Sequence, residues 1–82
     1  MSINKQLLYR STHRGCKETD FLIGNFAVEN LSLMSDSDLK SFQNFLEEDD
    51  IKIYDWILGK EPVTEGYKTI ILNIQKFHKI LA

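Results

Sequence analysis

The side chains most capable of chemistry lie together in one segment, His13-Arg14-Gly15-Cys16-Lys17-Glu18-Thr19-Asp20. A thiol, an imidazole and a carboxylate can act as nucleophile, base and orienting group, and Cys16, His13 and Glu18 are the residues of those types. These residues flank a glycine that breaks the helical pattern, and no oxyanion site is recognisable beside them. We therefore predict that the chain has no catalytic residues and is not an enzyme.

The same segment contains residue types that bind metals, and these are His13, Cys16, Glu18 and Asp20. A structural zinc site normally needs several thiolates at a repeated spacing, and this chain has one cysteine. We therefore predict no metal site. A single cysteine also excludes an internal disulfide.

The segment is equally typical of an ordinary junction between two helices. Arg14 suits the end of the first helix, Gly15 the left-handed residue that closes it, and an acidic residue such as Glu18 the first turn of the next. The functional alternative uses the same geometry. Gly15 lets another backbone approach closely, Arg14 projects a planar charged fork, and Glu18 lies on the same rim. Both interpretations remain open on spacing alone.

Length and charge restrict the class of protein. The chain has 82 residues, of which 43% are hydrophobic, and a formal net charge of −2. We predict one domain over residues 1–82 with no nucleic-acid or membrane surface, and we expect a monomer. No apolar run approaches the ~18 residues of a membrane span, and the first residues have no leader pattern, so we expect a cytoplasmic protein. A chain this small favours a binding or assembly protein over a self-sufficient enzyme.

Apolar residues recur at helical spacing along most of the chain, and no segment alternates as a strand would. The pattern predicts an all-α, five-helix bundle with helices at about residues 3–13, 17–32, 36–48, from Asp49 or Asp50 to Gly59, and 63–80. Ser35 and Asp38 are spaced as in a capping box. Gly24 inside the second helix indicates close packing or a bend, because glycine there costs about 1 kcal/mol relative to alanine.

The fourth helix is apolar on nearly all sides. Ile51, Tyr54, Ile57 and Leu58 form one stripe, and Trp56 falls on the other side. Such a helix is either deeply buried or presents a face to a partner. Trp56 accordingly has two interpretations, a core residue or an additional partner contact. The preceding acidic run, residues 47–50, is either a solvated turn with a cap or an acidic rim for a partner.

Three blocks together resemble the succinate dehydrogenase assembly factor family, whose bacterial members are the SdhE flavinylation factors and whose mitochondrial members are known as assembly factor 2. The blocks are Leu7-Leu8-Tyr9-Arg10-Ser11, Arg14-Gly15-x-x-Glu18-x-Asp20 and Leu46-Glu47-x-Asp49-x-x-Ile53-Tyr54-x-Trp56. Their order and spacing, over about residues 5–60, make the resemblance much more specific than Arg-Gly-x-x-Glu alone.

The resemblance implies a helical assembly chaperone that binds the flavoprotein subunit of succinate dehydrogenase, or of fumarate reductase, and promotes covalent attachment of FAD to a client histidine. It implies a client-binding motif of Arg14, Gly15 and Glu18, extended by Asp20. His13 and Trp56 are additional candidate client contacts that the resemblance does not supply. We expect Arg14 to bond to the client and Glu18 to orient a client group near the flavin. The resemblance implies that FAD is carried by the client. No nucleotide-binding glycine loop is present here, so we expect weak independent FAD binding at best. The alternative is a regulatory, antitoxin-like interaction module with a different protein partner.

Overall fold

The structure, a computed structural model, describes residues 3–80, which form five α-helices and no strand. The helices are α1 (Ile3–Thr12), α2 (Lys17–Asn30), α3 (Asp36–Phe45), α4 (Asp50–Ile57) and α5 (Lys68–Phe77), with 3-10 turns at Leu31–Leu33 and Glu65–Tyr67. The all-α, five-helix prediction is confirmed. None of the helices in this part of the chain is long and apolar enough to cross a membrane.

Helix α3 begins with the capping box that the sequence predicts. The Ser35 hydroxyl accepts a hydrogen bond from the backbone N–H of Asp38 at 3.1 Å, and the Asp38 carboxylate accepts from the backbone N–H of Ser35. Two of the amide groups that a helix start leaves without intrahelical partners are thereby satisfied. Asp49 caps α4 in a similar way, because its carboxylate accepts from the N–H of Ile51 at 3.1 Å.

Replacing Ser35 with alanine is expected to lower the free energy of unfolding by about 1 kcal/mol, since the cap is lost and no core contact changes. Ser37→Ala is the matched control, because Ser37 is also exposed and lies one turn or less away on α3. Urea denaturation followed by circular dichroism measures both. Equal stabilities of the two variants would contradict the role given to the cap.

Close approach of α1 and α2 explains the glycine in the middle of α2. A Cβ atom at Gly24 would lie 3.0 Å from Cγ2 of Thr12 and 3.5 Å from the carbonyl oxygen of Ser11. The prediction of close packing at Gly24 is confirmed. The Ser11 hydroxyl, fully buried at this contact, donates to the carbonyl of Leu7 at 2.6 Å, so α1 faces α2 without an unpaired polar group there.

The face that α4 buries differs from the predicted stripe. Ile53, Trp56 and Ile57 are buried, whereas Ile51 is 70% exposed and Leu58 is 40% exposed. An eight-residue helix that is apolar nearly all round contains no periodicity that selects a face. Tertiary packing makes the selection: the Trp56 ring lies against Phe45 and Tyr67, and the buried amide of Gln75 on α5 donates to the Ile57 carbonyl at 2.9 Å.

Three helix ends differ from the prediction by three residues or more, and one of them is the end of α5, at Phe77 rather than near residue 80. Helix α5 begins at Lys68 rather than near residue 63, because Thr64 has an extended ψ of 136° and Gly66 weakens any helix that would include it. Helix α3 ends at Phe45 rather than near residue 48. The backbone that follows it turns, and two of its carbonyl groups bond to an arginine from another part of the chain.

Candidate functional site

The connection between α1 and α2 has a conformation that requires glycine. Helix α1 ends at Thr12, and Gly15, the third residue after it, has φ +91°. A side chain at this φ is strained, although a Cβ atom would meet no other atom within 4 Å. The predicted left-handed glycine is confirmed. The space above Gly15 is open, so a second protein backbone can reach this loop.

Arg14 is the anchor of this loop. Its side chain is 9% exposed, and each of its three guanidinium nitrogens has a separate acceptor. Nε donates to Oδ1 of Asp50 at 2.5 Å, Nη1 donates to the carbonyl of Leu46 at 2.8 Å, and Nη2 donates to the carbonyl of Glu48 at 2.8 Å. The arginine therefore fastens the α1–α2 loop to the connection between α3 and α4.

Three further hydrogen bonds complete the anchorage. Oδ1 of Asp50 also accepts from the Thr19 hydroxyl at 3.3 Å, so one carboxylate joins the loop and α2 to the start of α4. Oδ1 of Asp20 accepts from the backbone N–H of Arg14 at 2.6 Å. The single hydrogen of the Thr19 hydroxyl is shared between Asp50 and the carbonyl of Cys16, which lies 3.1 Å away. A charge-assisted network of this kind fixes a loop more firmly than its short length alone would.

These contacts correct the predicted orientation of Arg14. The residue pattern predicted a charged fork that projects toward a partner, but all three guanidinium nitrogens are bonded within the chain. The physical reason is that backbone carbonyls after α3 have no helical donors and a buried guanidinium needs acceptors. Asp20 likewise points inward, to the backbone of Arg14, and lies partly buried.

Glu18 lies on the surface, in the first turn of α2, as the sequence predicts. A hydrogen bond from its own backbone N–H lowers the pKa of the carboxyl group, and the Cys16 thiol, which donates to Oε2 at 3.3 Å, and the charge of Lys17 act in the same direction. Glu18 makes no salt bridge within residues 3–80. The loop thus presents an ionised carboxylate beside the open backbone of Gly15.

The two additional candidate contacts have different surroundings. His13 is exposed, and its ring stacks on Tyr9 with 4.0 Å between ring centroids and 11° between planes. Trp56 is 2% exposed, so its indole belongs to the core and is not part of the exposed surface around Gly15. The structure brings His13, Gly15 and Glu18 to one end of the α1–α2 pair and leaves Trp56 outside that surface.

The thiol and metal alternatives lack the necessary geometry. Nδ1 of His13 lies 3.0 Å from the Tyr9 carbonyl and 2.9 Å from the Thr12 hydroxyl, and none of the hydrogen bonds within residues 3–80 joins this imidazole to Cys16. A nucleophile and its base must be within hydrogen-bonding distance of each other. Across the same residues, no three histidine, cysteine or acidic side chains are grouped as metal ligands would be.

The acidic run before α4 is used within the chain. Glu47 pairs with Arg10 at 2.8 Å, Glu48 accepts from the Tyr67 hydroxyl at 3.4 Å, and Asp49 and Asp50 act as cap and anchor. Desolvation raises the pKa of Tyr67, and the charge of Glu48 and the hydrogen bond to it act in the same direction. These contacts favour the interpretation of a turn with a cap over an acidic rim for a partner.

Sequence reasoning missed the role of Asp50, which was considered only as a possible cap. The signal available was that Asp49 and Asp50 stand together where one cap is sufficient. The acceptors at Leu46 and Glu48 are backbone carbonyls, which every residue possesses. The sequence therefore does not indicate which backbone carbonyls will accept hydrogen bonds from Arg14.

The fold and this surface define a small helical protein with an exposed loop that is anchored to the α3–α4 connection. The model of the family described as "flavinator of succinate dehydrogenase" matches residues 5–78. A Dictyostelium discoideum protein named "succinate dehydrogenase assembly factor 2, mitochondrial" is 37% identical over 76 residues, and an Acetobacter pasteurianus protein named "FAD assembly factor SdhE" is 38% identical over 69. The matches cover 93% and 84% of this chain. No solved structure matches the chain.

The chain therefore belongs to the succinate dehydrogenase flavinator family of assembly factors. The resemblance recognised in three sequence blocks is confirmed, and the match extends beyond those blocks into α5. The chain spans 54% of the length of the Dictyostelium relative and 63% of the length of the Acetobacter relative.

Proposed function

We propose that this chain binds the flavoprotein subunit of succinate dehydrogenase and promotes covalent attachment of FAD to a histidine of that subunit. Family membership supports the reaction, and the exposed loop supports the mode of action. The observation that carries the proposal is the ionised Glu18 carboxylate beside the accessible backbone of Gly15, on a loop that Arg14 holds in place. Fumarate reductase, a related flavoprotein, is the second proposed client.

The motif residues divide into two roles in this proposal. Gly15 and Glu18 contact the client, because the first leaves space for a neighbouring backbone and the second offers a charged acceptor. Arg14 and Asp20 are positioning residues, since their polar groups bond to the loop and to the α3–α4 connection. A factor that holds a client histidine and its flavin in reacting geometry can accelerate bond formation without supplying a catalytic group.

FAD is bound by the client in this account. A dinucleotide-binding loop needs several closely spaced glycines that open a helix after a strand. Within residues 3–80 no strand is present, and the two glycines with positive φ, Gly15 and Gly59, lie in separate connections. We infer that the chain supplies protein contacts alone and that the chemistry of bond formation belongs to the flavoprotein.

Reconstitution of flavin attachment tests the proposal. Purified flavoprotein carrying noncovalent FAD is incubated with or without this chain, then denatured, and the in-gel fluorescence of retained flavin is measured. We expect the chain to raise the initial rate of attachment at least about tenfold, as positioning effects can. Cys16→Ser is expected to act like the unmodified chain, since the thiol makes one exposed hydrogen bond to Glu18.

Two outcomes would contradict the proposal. Equal fluorescence with and without the chain would remove the assembly function and favour the regulatory, antitoxin-like alternative. Loss of activity in a folded Cys16→Ser variant would instead revive a thiol mechanism. Thermal unfolding of each preparation, followed by circular dichroism, verifies that the proteins compared are folded.

A further inference from the structure

An apolar groove lies between α2 and α4, directly beside Glu18. Its volume is about 480 Å³. The apolar walls are formed by Phe21, Leu22, Tyr54, Leu58 and Ile80. Its charged lining residues, Lys17 and Glu18, are both in the first turn of α2. The groove therefore has apolar walls and a charged end, and that end lies next to the α1–α2 connection that contains Gly15.

The walls of this α2/α4 groove expose large apolar side chains to solvent. Phe21 is 61% exposed and Leu58 is 40% exposed. Single exposed apolar residues are common on protein surfaces, but a contiguous apolar groove bounded by charged residues is typical of an interaction site. Val28 on α2 and Ile51 on α4 are similarly exposed and do not line this groove, so they provide an internal comparison.

The groove is fixed by hydrogen bonds at both ends. Nε2 of His78, just after α5, donates to the carbonyl of Leu22 at 2.7 Å, and the His78 ring lies 5.6 Å from the ring of Phe21. At the other end, the Thr19 hydroxyl joins α2 to Asp50 at the start of α4. A groove held in this way binds a partner without a large ordering cost.

The shape of the groove favours a protein segment over a small molecule. Small-molecule pockets typically enclose about 70–90% of the ligand surface, and a wall residue as exposed as Phe21 cannot do so. An open apolar channel between two helices is the geometry that receives the apolar face of an amphipathic helix. Glu18 makes no salt bridge within the described residues and is ionised, so its natural partner is a cation.

We propose that the α2/α4 groove binds an amphipathic helical segment of the flavoprotein client. Large apolar side chains of that segment lie between Phe21 and Leu58, and a lysine or arginine about one helical turn away pairs with Glu18. The inference rests on the proposed function and adds the chemistry by which the client is recognised. The groove is continuous with the exposed surface around Gly15, because Glu18 belongs to both.

Affinity measurements with matched variants test the inference. Binding of purified flavoprotein is measured by titration calorimetry for Phe21→Ser on α2 and Leu58→Ser at the end of α4, with Val28→Ser on α2 and Ile51→Ser on α4 as controls. We expect the groove variants to bind at least about tenfold more weakly and the controls to remain within about twofold of the unmodified chain. Thermal unfolding of all four variants verifies that each is folded.

The outcomes separate this inference from the proposed function. If the unmodified chain does not bind the flavoprotein, both fail. If it binds and promotes flavin attachment, but Phe21→Ser and Leu58→Ser bind as well as the controls, the groove assignment alone is wrong.

A photo-crosslinking residue at position 58 identifies the occupant of the groove. We expect it to label one segment of the flavoprotein that carries apolar residues and a basic residue at helical spacing, whereas the same group at position 51 should not. Reversing the charge of that basic residue should weaken binding at least about tenfold, and Glu18→Lys should restore it. Labelling of a second copy of this chain, or of bound flavin, would overturn the inference.

Discussion

Replacing Arg14 with alanine is expected to lower the free energy of unfolding by about 3 kcal/mol. The substitution leaves Asp50 without its cationic partner and the carbonyls of Leu46 and Glu48 without their guanidinium donors. Arg14→Lys should recover less than half of the loss, because a single ammonium cannot reach three acceptors arranged for a planar fork. Urea denaturation followed by circular dichroism measures these changes.

Arg10 provides the matched control. It forms one salt bridge to Glu47 at 2.8 Å, with the two side chains 35% and 71% exposed. Exposed pairs of this kind contribute little, so Arg10→Ala should cost less than about 1 kcal/mol. A double-mutant cycle with Asp50→Ala then isolates the Arg14–Asp50 interaction. If Arg14→Ala destabilises the chain no more than Arg10→Ala does, the anchoring role is wrong.

Because Arg14 anchors the α1–α2 loop, a loss of flavin attachment in an Arg14 variant does not by itself indicate that Arg14 contacts the client. A folded Arg14 variant that fails to support flavin attachment would show a misplaced loop, and contact with the client need not be involved. Stability and activity should therefore change together along the series from arginine through lysine to alanine. In Glu18 variants, activity should fall while stability changes little, since the Glu18 carboxylate is exposed and supports no contact between helices.

The elements of this fold could be predicted where the signal is local. Ser35 and Asp38 form the capping box within one turn, Asp49 caps α4, and Gly24 marks the close approach of α1 and α2. Each of these features depends on residue type at a short spacing, or on the absence of a side chain where two helices meet. The presence of five helices, and their order along the chain, could be predicted from the same local patterns.

Contacts between distant segments were the part that sequence reasoning could not predict. Arg14 meets acceptors 32 to 36 residues away. The spacing of charged residues does not reveal whether a guanidinium will turn inward or outward. The buried face of α4 was missed for a related reason, because Ile51 and Ile53 are equally apolar and packing alone distinguishes them.

Glu18→Ala is expected to remain folded, with only a small loss of stability from the removed first-turn charge, and to lower the initial rate of flavin attachment at least about tenfold. The carboxylate supports no helix–helix contact, yet it stands where the loop and the α2/α4 groove meet. Glu18→Gln keeps the shape and removes the charge, so it should be impaired as well if a cation on the client is the partner.

The pH dependence of the Glu18 contribution follows from its lowered pKa. The carboxyl group is ionised above its ordinary pKa of 4.5, and the charge is lost only as the pH falls through the lower value in the folded chain. Binding that depends on this charge should therefore remain constant across the neutral range. A weakening that sets in near neutrality would have to come from a different group.

In-gel fluorescence of the denatured flavoprotein, after incubation with equal amounts of folded Glu18→Ala or Glu29→Ala chain, shows whether the Gly15–Glu18 surface supports flavin attachment. Glu29 is an exposed glutamate on the same helix, far from the first turn. We expect Glu29→Ala to support covalent flavin attachment as the unmodified chain does, and Glu18→Ala to fail to do so. Full attachment with both variants at unchanged stability would contradict the assignment of function to the Gly15–Glu18 surface.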